Sequence, residues 1–157
     1  MTPEDTASLR EILTGQRLLA LGLVVEGAPV TGLLPYAVDA ARTGLYVQAS
    51  RLARHSRGLT PGAAWSGVVH VPDAPGQDAL QVPRLVLEGV VRPLERGGPE
   101  FQAAAQAFTD RFPSAAMTVS LGDFGFYFLE IRDGRLILGF GRALNLAAHH
   151  FRDLAAP

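Results

Sequence analysis

Arg51, Arg54, His55 and Arg57 crowd into one short stretch of the chain, directly behind Ser50. A guanidinium offers five N–H donors in a planar fork that suits phosphate or carboxylate, and residues three apart share one face of a helix. Residues 45–49 form an apolar run that reads as a strand, so the segment passes from a strand through Ser50 into a basic helix start. Serine is a good N-cap, and the free amides of a first helical turn, with the positive end of the helix dipole, attract an anion. A phosphate is the natural guest of such a site. The plainer alternative is that Ser50 only caps a helix and the arginines only face water.

Composition narrows the chemistry. The 157 residues suit one domain, residues 1–157, and a hydrophobic content of 48% against 18% charged describes a folded chain with a sizeable core. Cysteine is absent, which removes disulfides and thiolate metal sites. The formal charge of −1 argues against general affinity for nucleic acid or an anionic membrane, so the arginine cluster is suited to a small anion. Glu4 and Asp5 precede any apolar stretch, unlike a signal peptide, and no run is long enough for a membrane span. A cytoplasmic protein is expected. There is no Ser-His-Asp arrangement, no glycine-rich nucleotide fingerprint and no histidine pair with a carboxylate at metal-ligand spacing.

The elements that must position the cluster follow from periodicity and punctuation. Thr2, Pro3, Glu4 and Asp5 make a helix start, Leu9, Ile12 and Leu13 give it an apolar face, and Gly15 ends it. Residues 17–25 and 29–38 read as two strands around a Glu26-Gly27 turn, followed by strands over 45–49, 63–71 and 84–94, with a loop over 72–81. Residues 99–112 carry Phe101, Ala104, Ala105, Phe108 and Phe112 on a helical stripe. Residues 124–131 alternate as a strand, Asp133-Gly134 signals a hairpin, and residues 135–140 return. Six to seven antiparallel strands with helices at the margins predict an α+β protein built on a closed barrel, since so many apolar strands would otherwise leave exposed edges.

Residues 50–59, Ser-Arg-Leu-Ala-Arg-His-Ser-Arg-Gly-Leu, resemble the Ser-x-Leu-Ala-x-His-Thr-x-Asn-Leu element of the split-barrel flavin-binding proteins related to pyridoxamine 5'-phosphate oxidase, most of all the branch with the haem-utilisation proteins. Pro-Arg-Leu-Val-Leu-Glu-Gly from Pro83, Phe-Pro-Ser-Ala from Phe112, Asp-Phe-Gly-Phe-Tyr from Asp123 and Gly-Phe-Gly-Arg-Ala from Gly139 agree in order. Ser56 stands where threonine is usual, and Gly58 where asparagine is usual, which removes a side-chain hydrogen bond.

The resemblance implies an FMN-binding split barrel that forms a homodimer, with two cofactor sites at the subunit interface, each built from both chains. Carried over, Ser50, Arg51, His55 and Ser56 would line the phosphate and ribityl chain, with Arg51 as the main charge partner. Backbone around Leu34, Pro35 and Tyr36 would run beside the isoalloxazine ring. Trp65 is either an aromatic near that ring or a buried structural tryptophan, and Arg142 either reaches across the interface or is a surface arginine in a glycine-rich turn. The flavin would supply the hydride or electron transfer, so no acid–base pair is required of the protein. The expected activity is that of a flavin-dependent oxidoreductase on a small molecule, although pyridoxamine 5'-phosphate itself does not fit, because the tail lacks a basic substrate-binding pattern. Two alternatives stand beside it. His149 and His150, in a tail over 147–157, would ligate haem in a haem-binding or haem-degrading protein, with Arg84 pairing a propionate; solvated or partner-packed histidines are the plain alternative. A flavin-binding module without catalysis is the other.

Overall fold

The structure, a computed structural model, describes residues 1–155. Helix α1 spans Pro3–Gly15, and its start is built as the sequence implies: the Thr2 hydroxyl accepts from the Asp5 amide at 3.1 Å and the Asp5 carboxylate accepts from the Thr2 amide at 2.9 Å. Strands β1 (Leu18–Val25) and β2 (Ala28–Val38) form an antiparallel hairpin, with Glu26 and Gly27 at positive φ in the turn. They are followed by β3 (Gly44–Ser50), β4 (Ala64–His70) and β5 (Arg84–Pro93). Helix α2 (Pro99–Arg111) and the short α3 (Ala116–Val119) lead to β6 (Phe124–Gly139), β7 (Arg142–Ala147) and α4 (Ala148–Arg152).

The sheet runs β3-β2-β1-β4-β5-β6-β7, and an additional β3–β6 pairing closes its first six strands into a barrel. That pairing is antiparallel from Gly44↔Glu130 to Ser50↔Phe124. It leaves only β7 as an appended edge strand, the arrangement expected of a chain that must dispose of its edges. Barrel closure and seven antiparallel strands agree with the expected α+β split barrel.

Two apolar cores result. Leu19, Leu21, Leu45, Leu85, Leu87 and Leu129 are all fully buried inside the barrel, with Leu9 and Leu13 of α1 sealing one opening. The second core lies outside the wall, where Phe101, Phe108 and Phe112 of the α2 region meet Phe126 and Phe128 of β6. Edge-to-face contacts at 5.2 and 5.5 Å join Phe101 and Phe108 to Phe126, so the helical stripe packs on the barrel as aromatic geometry favours.

One expectation is corrected. Asp133-Gly134 is no hairpin, because β6 runs on through it and pairs with β5 on one side and β7 on the other. The turn preference is absorbed as a bulge opposite Glu88 and Gly89, and Gly134 leaves room for the Phe151 ring and the Val86 carbonyl, which a Cβ would meet at 2.9 Å. The reversal comes later, where Gly139 pairs with Arg142 and Gly141 takes φ 77°. The tail over 147–157 opens with a short helix. Helix α4 seats Phe151 and the following turn seats Leu154, both buried, while residues 156 and 157 lie outside the described set.

Among the described residues no helix is long and apolar enough to cross a membrane. Gly89 is the tightest point of the wall: an added Cβ would run into the Glu130 carbonyl and come within 3.0 Å of the Trp65 indole nitrogen. Gly89→Ala should therefore lower stability by about 1–3 kcal/mol, the usual cost of overpacking, read as a drop in urea midpoint at unchanged slope.

Candidate functional site

The basic segment caps one mouth of the barrel. Ser50 does not cap a helix; it stays in β3, paired with Phe124, and the next helical residues are a 3₁₀ turn, Arg54–Gly58, whose N-cap is Ala53. The reason is local. The Ser50 hydroxyl donates to the Asp123 carboxylate at 3.1 Å and accepts from the Leu52 amide at 3.2 Å, while the Ala53 amide bonds the Ser50 carbonyl at 3.0 Å. These bonds make a tight turn out of residues that an α-helix would have used for its first turn.

The three guanidiniums consequently diverge. Arg51 donates to the Gly122 carbonyl at 2.6 Å, Arg57 pairs with Glu26 on the β1–β2 turn, and Arg54 is exposed. Ser56 donates its hydroxyl to the Ser50 carbonyl at 2.6 Å. The serine hydroxyls expected to meet a phosphate are thus already donating inside the protein. Asp123 also sets a carboxylate beside Ser50, and its own carbonyl accepts the Arg51 amide at 2.8 Å.

Gly58 has a direct cause. It is buried against β1, where a Cβ would approach Leu23 Cβ at 3.0 Å and the Val24 carbonyl at 3.2 Å, so any side chain here would require these neighbours to shift. Leu59 then enters the barrel core. His55 lies over Gly32 of β2, where an added Cβ would come within 3.0 Å of Nδ1, and burial holds its pKa below the ordinary histidine value.

The remaining expected residues are spread over the molecule. Leu34 and Tyr36 point into the barrel, with the Tyr36 hydroxyl donating to the Leu13 carbonyl at 2.8 Å, and Pro35 between them is exposed. Burial raises the Tyr36 pKa well above the phenol range. Trp65 is buried and its indole N–H donates to the Glu130 carbonyl at 3.2 Å. Its edge borders a groove of about 550 Å³ on the outer wall, with Gly22, Val24, Pro29, Thr31 and Ser66 around it. Arg142 pairs with Asp5 at 2.7 Å, tying the β6–β7 hairpin to α1. The Thr2 amide and hydroxyl, and then Arg142, hold the Asp5 carboxyl below its ordinary pKa. Arg84 donates to the Val82 carbonyl at 3.1 Å.

At the far end of the chain His150 Nδ1 accepts from the Ala147 amide at 3.0 Å and so caps α4. His149 is exposed, its ring 3.9 Å from that of His150. Phe151 and Leu154 anchor this short helix in the barrel core, so the His149 imidazole stands on a fixed mount and faces solvent. Asp123, Gly32 and Phe151, which sequence patterns did not mark as site-building, are the residues that set the orientations of Ser50, His55 and His149.

Because burial lowers the His55 pKa, folding favours its neutral form. The unfolded chain takes up the proton first as pH falls below the ordinary value, so His55 removes stability in the window between that value and its lowered folded pKa. His55→Gln should flatten the stability loss there, and proton NMR of the wild type should show the His55 imidazole titrating below the ordinary histidine value.

No protein-family model matches the sequence, and no curated protein does either. Solved structures do resemble it. A haem-binding protein from Mycobacterium smegmatis superposes with a TM-score of 0.83 at 24% identity, covering 98% of this chain and 62% of that one. The haem storage protein HutZ from Vibrio cholerae gives 0.74 at 22% identity over 85% of this chain and 93% of its own. A protein from Clostridium acetobutylicum related to general stress protein 26, of the pyridoxinephosphate oxidase family, gives 0.69 at 10% identity over 96% and 99%. The chain spans about 62% of the Mycobacterium smegmatis protein's length. The protein is a split β-barrel that shares the fold of haem-binding proteins and of the pyridoxinephosphate oxidase family alike.

Proposed function

We propose that this protein binds haem as a homodimer, with His149 as the iron ligand. The carrying observation is the exposed His149 imidazole on a helix whose next residues, Phe151 and Leu154, are locked in the core. A neutral imidazole with an open ring nitrogen is a common axial ligand of haem iron. His150 is committed to its cap, which leaves His149 as the freer of the pair. Arg84 is a cation for a propionate, in line with the haem-binding proteins that share the fold. Haem, when bound, supplies the redox chemistry; the chain binds and orients it.

The dimer is supported by the outer face of β1 and β2. Leu18, Val24 and Leu33 are 49%, 63% and 66% exposed there, an apolar surface on a sheet that is otherwise well packed. Covering it with a second copy would also enclose the groove beside Trp65.

FMN is the second candidate, favoured by Arg51 and Arg54 beside Ser50 at the barrel mouth, and it would make the protein an oxidoreductase acting on a small molecule. The fit is poorer, since Ser50 and Ser56 donate internally and Asp123 sets a negative charge beside Ser50. A bound phosphate requires the Ser50 hydroxyl to turn away from Asp123.

Haemin added to the purified protein should give a sharp Soret band that His149→Ala abolishes and His150→Ala only weakens, through loss of a cap that contributes about 1 kcal/mol. A Soret band unchanged in His149→Ala removes the proposed ligand. Flavin bands retained on desalting, with Arg51→Ala weakening FMN by about tenfold or more but sparing riboflavin, as a charged hydrogen bond to phosphate implies, would instead favour the flavoprotein. Sedimentation should report a dimer in either case.

A further inference from the structure

We propose that the cleft between the last turns of α1 and α2 and the β2–β3 turn binds a small aliphatic carboxylate, held by Arg42 and Arg111. The cleft holds about 480 Å³, within the range of small-molecule sites, and none of its lining residues belongs to the haem or flavin candidates. Ala37, Ala40 and Ala107 supply its space, since each ends at Cβ where a longer side chain would fill it.

Two orphaned donors on different elements carry the inference. Arg111, the last residue of α2, donates through one Nη to the Gln16 carbonyl just past α1, and its guanidinium carbon lies 5.5 Å from the centre of the Tyr36 ring. Those contacts position the guanidinium, yet its Nε is buried without a hydrogen-bond partner. The Nε of Arg42 is buried without a partner as well. Neither arginine forms an ion pair among the described residues. An oxyanion that turns the Nε–Nη edge of both guanidiniums toward the cleft gives each the hydrogen bond it lacks.

Arg42 is also an unusual residue for its place in the backbone. Its φ of 58° lies in the left-handed region, where glycine or asparagine is the ordinary choice. The turn does not need the arginine side chain, because Asp39 builds it. The Asp39 carboxylate accepts from the Gly44 amide at 2.7 Å, the Thr43 hydroxyl at 3.0 Å and the Ala41 amide at 3.2 Å. A strained backbone kept by a long cation that does nothing for the turn points to a task for the cation.

The charges around the cleft select the ligand class. Its lining holds Asp39 and Asp110 beside the two arginines. Asp39 is saturated by the turn, and Asp110 accepts from the Gln106 side-chain amide at 2.6 Å, so neither neutralises a guanidinium by contact. One added negative charge meets two guanidinium forks, whereas a dianion such as phosphate would also be repelled by both aspartates. The alanines and Val38 offer apolar contact to an alkyl body, which an inorganic anion cannot use.

Butyrate is the probe, titrated into isotope-labelled full-length protein and followed by nitrogen–proton NMR of the arginine side chains. The Nε–H signals of Arg42 and Arg111 should both move to lower field and saturate together, while butyramide, the neutral isostere, should leave them in place. Arg42→Gly suits the positive φ, so the turn survives without the guanidinium, and it should weaken butyrate by about tenfold, as loss of a charge-assisted hydrogen bond implies. Ala107→Leu keeps both arginines and fills the cleft, and should abolish the Arg111 response. Nε–H signals that butyrate does not move would overturn the site. So would equal butyrate affinity in folded Arg42→Gly or Ala107→Leu protein, and so would phosphate or butyramide shifting the same signals as strongly as butyrate.

Discussion

Everything else in this molecule depends on the pairing of β3 with β6. Seven ladder positions join strands that are far apart in sequence, and without them the first six strands would be an open, twisted sheet with two long apolar edges. Closure creates the interior in which the leucines of five strands meet, and the convex wall on which α2 lays its phenylalanines. It also sets Ser50 against Phe124, which brings the chain on either side of those residues together. The Ser50–Asp123 and Arg51–Gly122 contacts are direct products of that register. The candidate cofactor segment is therefore positioned by barrel closure, more than by any helix of its own.

Much of the fold was legible because several elements carry two agreeing signals. Helix α1 has a capping box and an apolar face, β1 and β2 flank a Glu-Gly turn, and α2 follows a Gly-Pro start with aromatic residues on one stripe. At Asp133-Gly134 a local turn preference gives way to strand partners on both sides. Leu87 and Leu146 pair with Gly134 from the two sides, and the Phe151 ring needs the gap that Gly134 leaves. The segment after Ser50 behaves in a similar way. Arginines three apart fit a helix, but Asp123, distant in sequence, takes the serine hydroxyl that the helix cap needed. A single residue's long-range partner cannot be read from local spacing.

The candidate sites differ in how far their polar groups are already satisfied. At the barrel mouth, Ser50, Ser56, Arg51 and Arg57 each have a partner within the chain, while Arg54 is exposed. His149 differs from these, being exposed on a helix that Phe151 and Leu154 seat in the core. Spacing along the sequence does not show which of these charges already have partners within the fold. Gly58 also serves the fold, since it lies against Leu23 and Val24 of β1.

The far-apart halves of the β3–β6 ladder have a consequence for the chain as it leaves the ribosome. Strand β3 is complete at Ser50, yet its partner does not begin until Phe124. For the synthesis of some seventy residues, several seconds at typical elongation rates, the β1–β2–β3 sheet must wait with one edge open. The waiting edge is made of Leu45, Tyr46 and Val47, apolar and β-prone, without a charged residue among them. Arg142 and Asp5 then join the last hairpin to the first helix, so the final native contacts also require nearly the whole chain. Until Phe124 and the residues after it have been made, nascent β3 thus presents an apolar edge without its native partner.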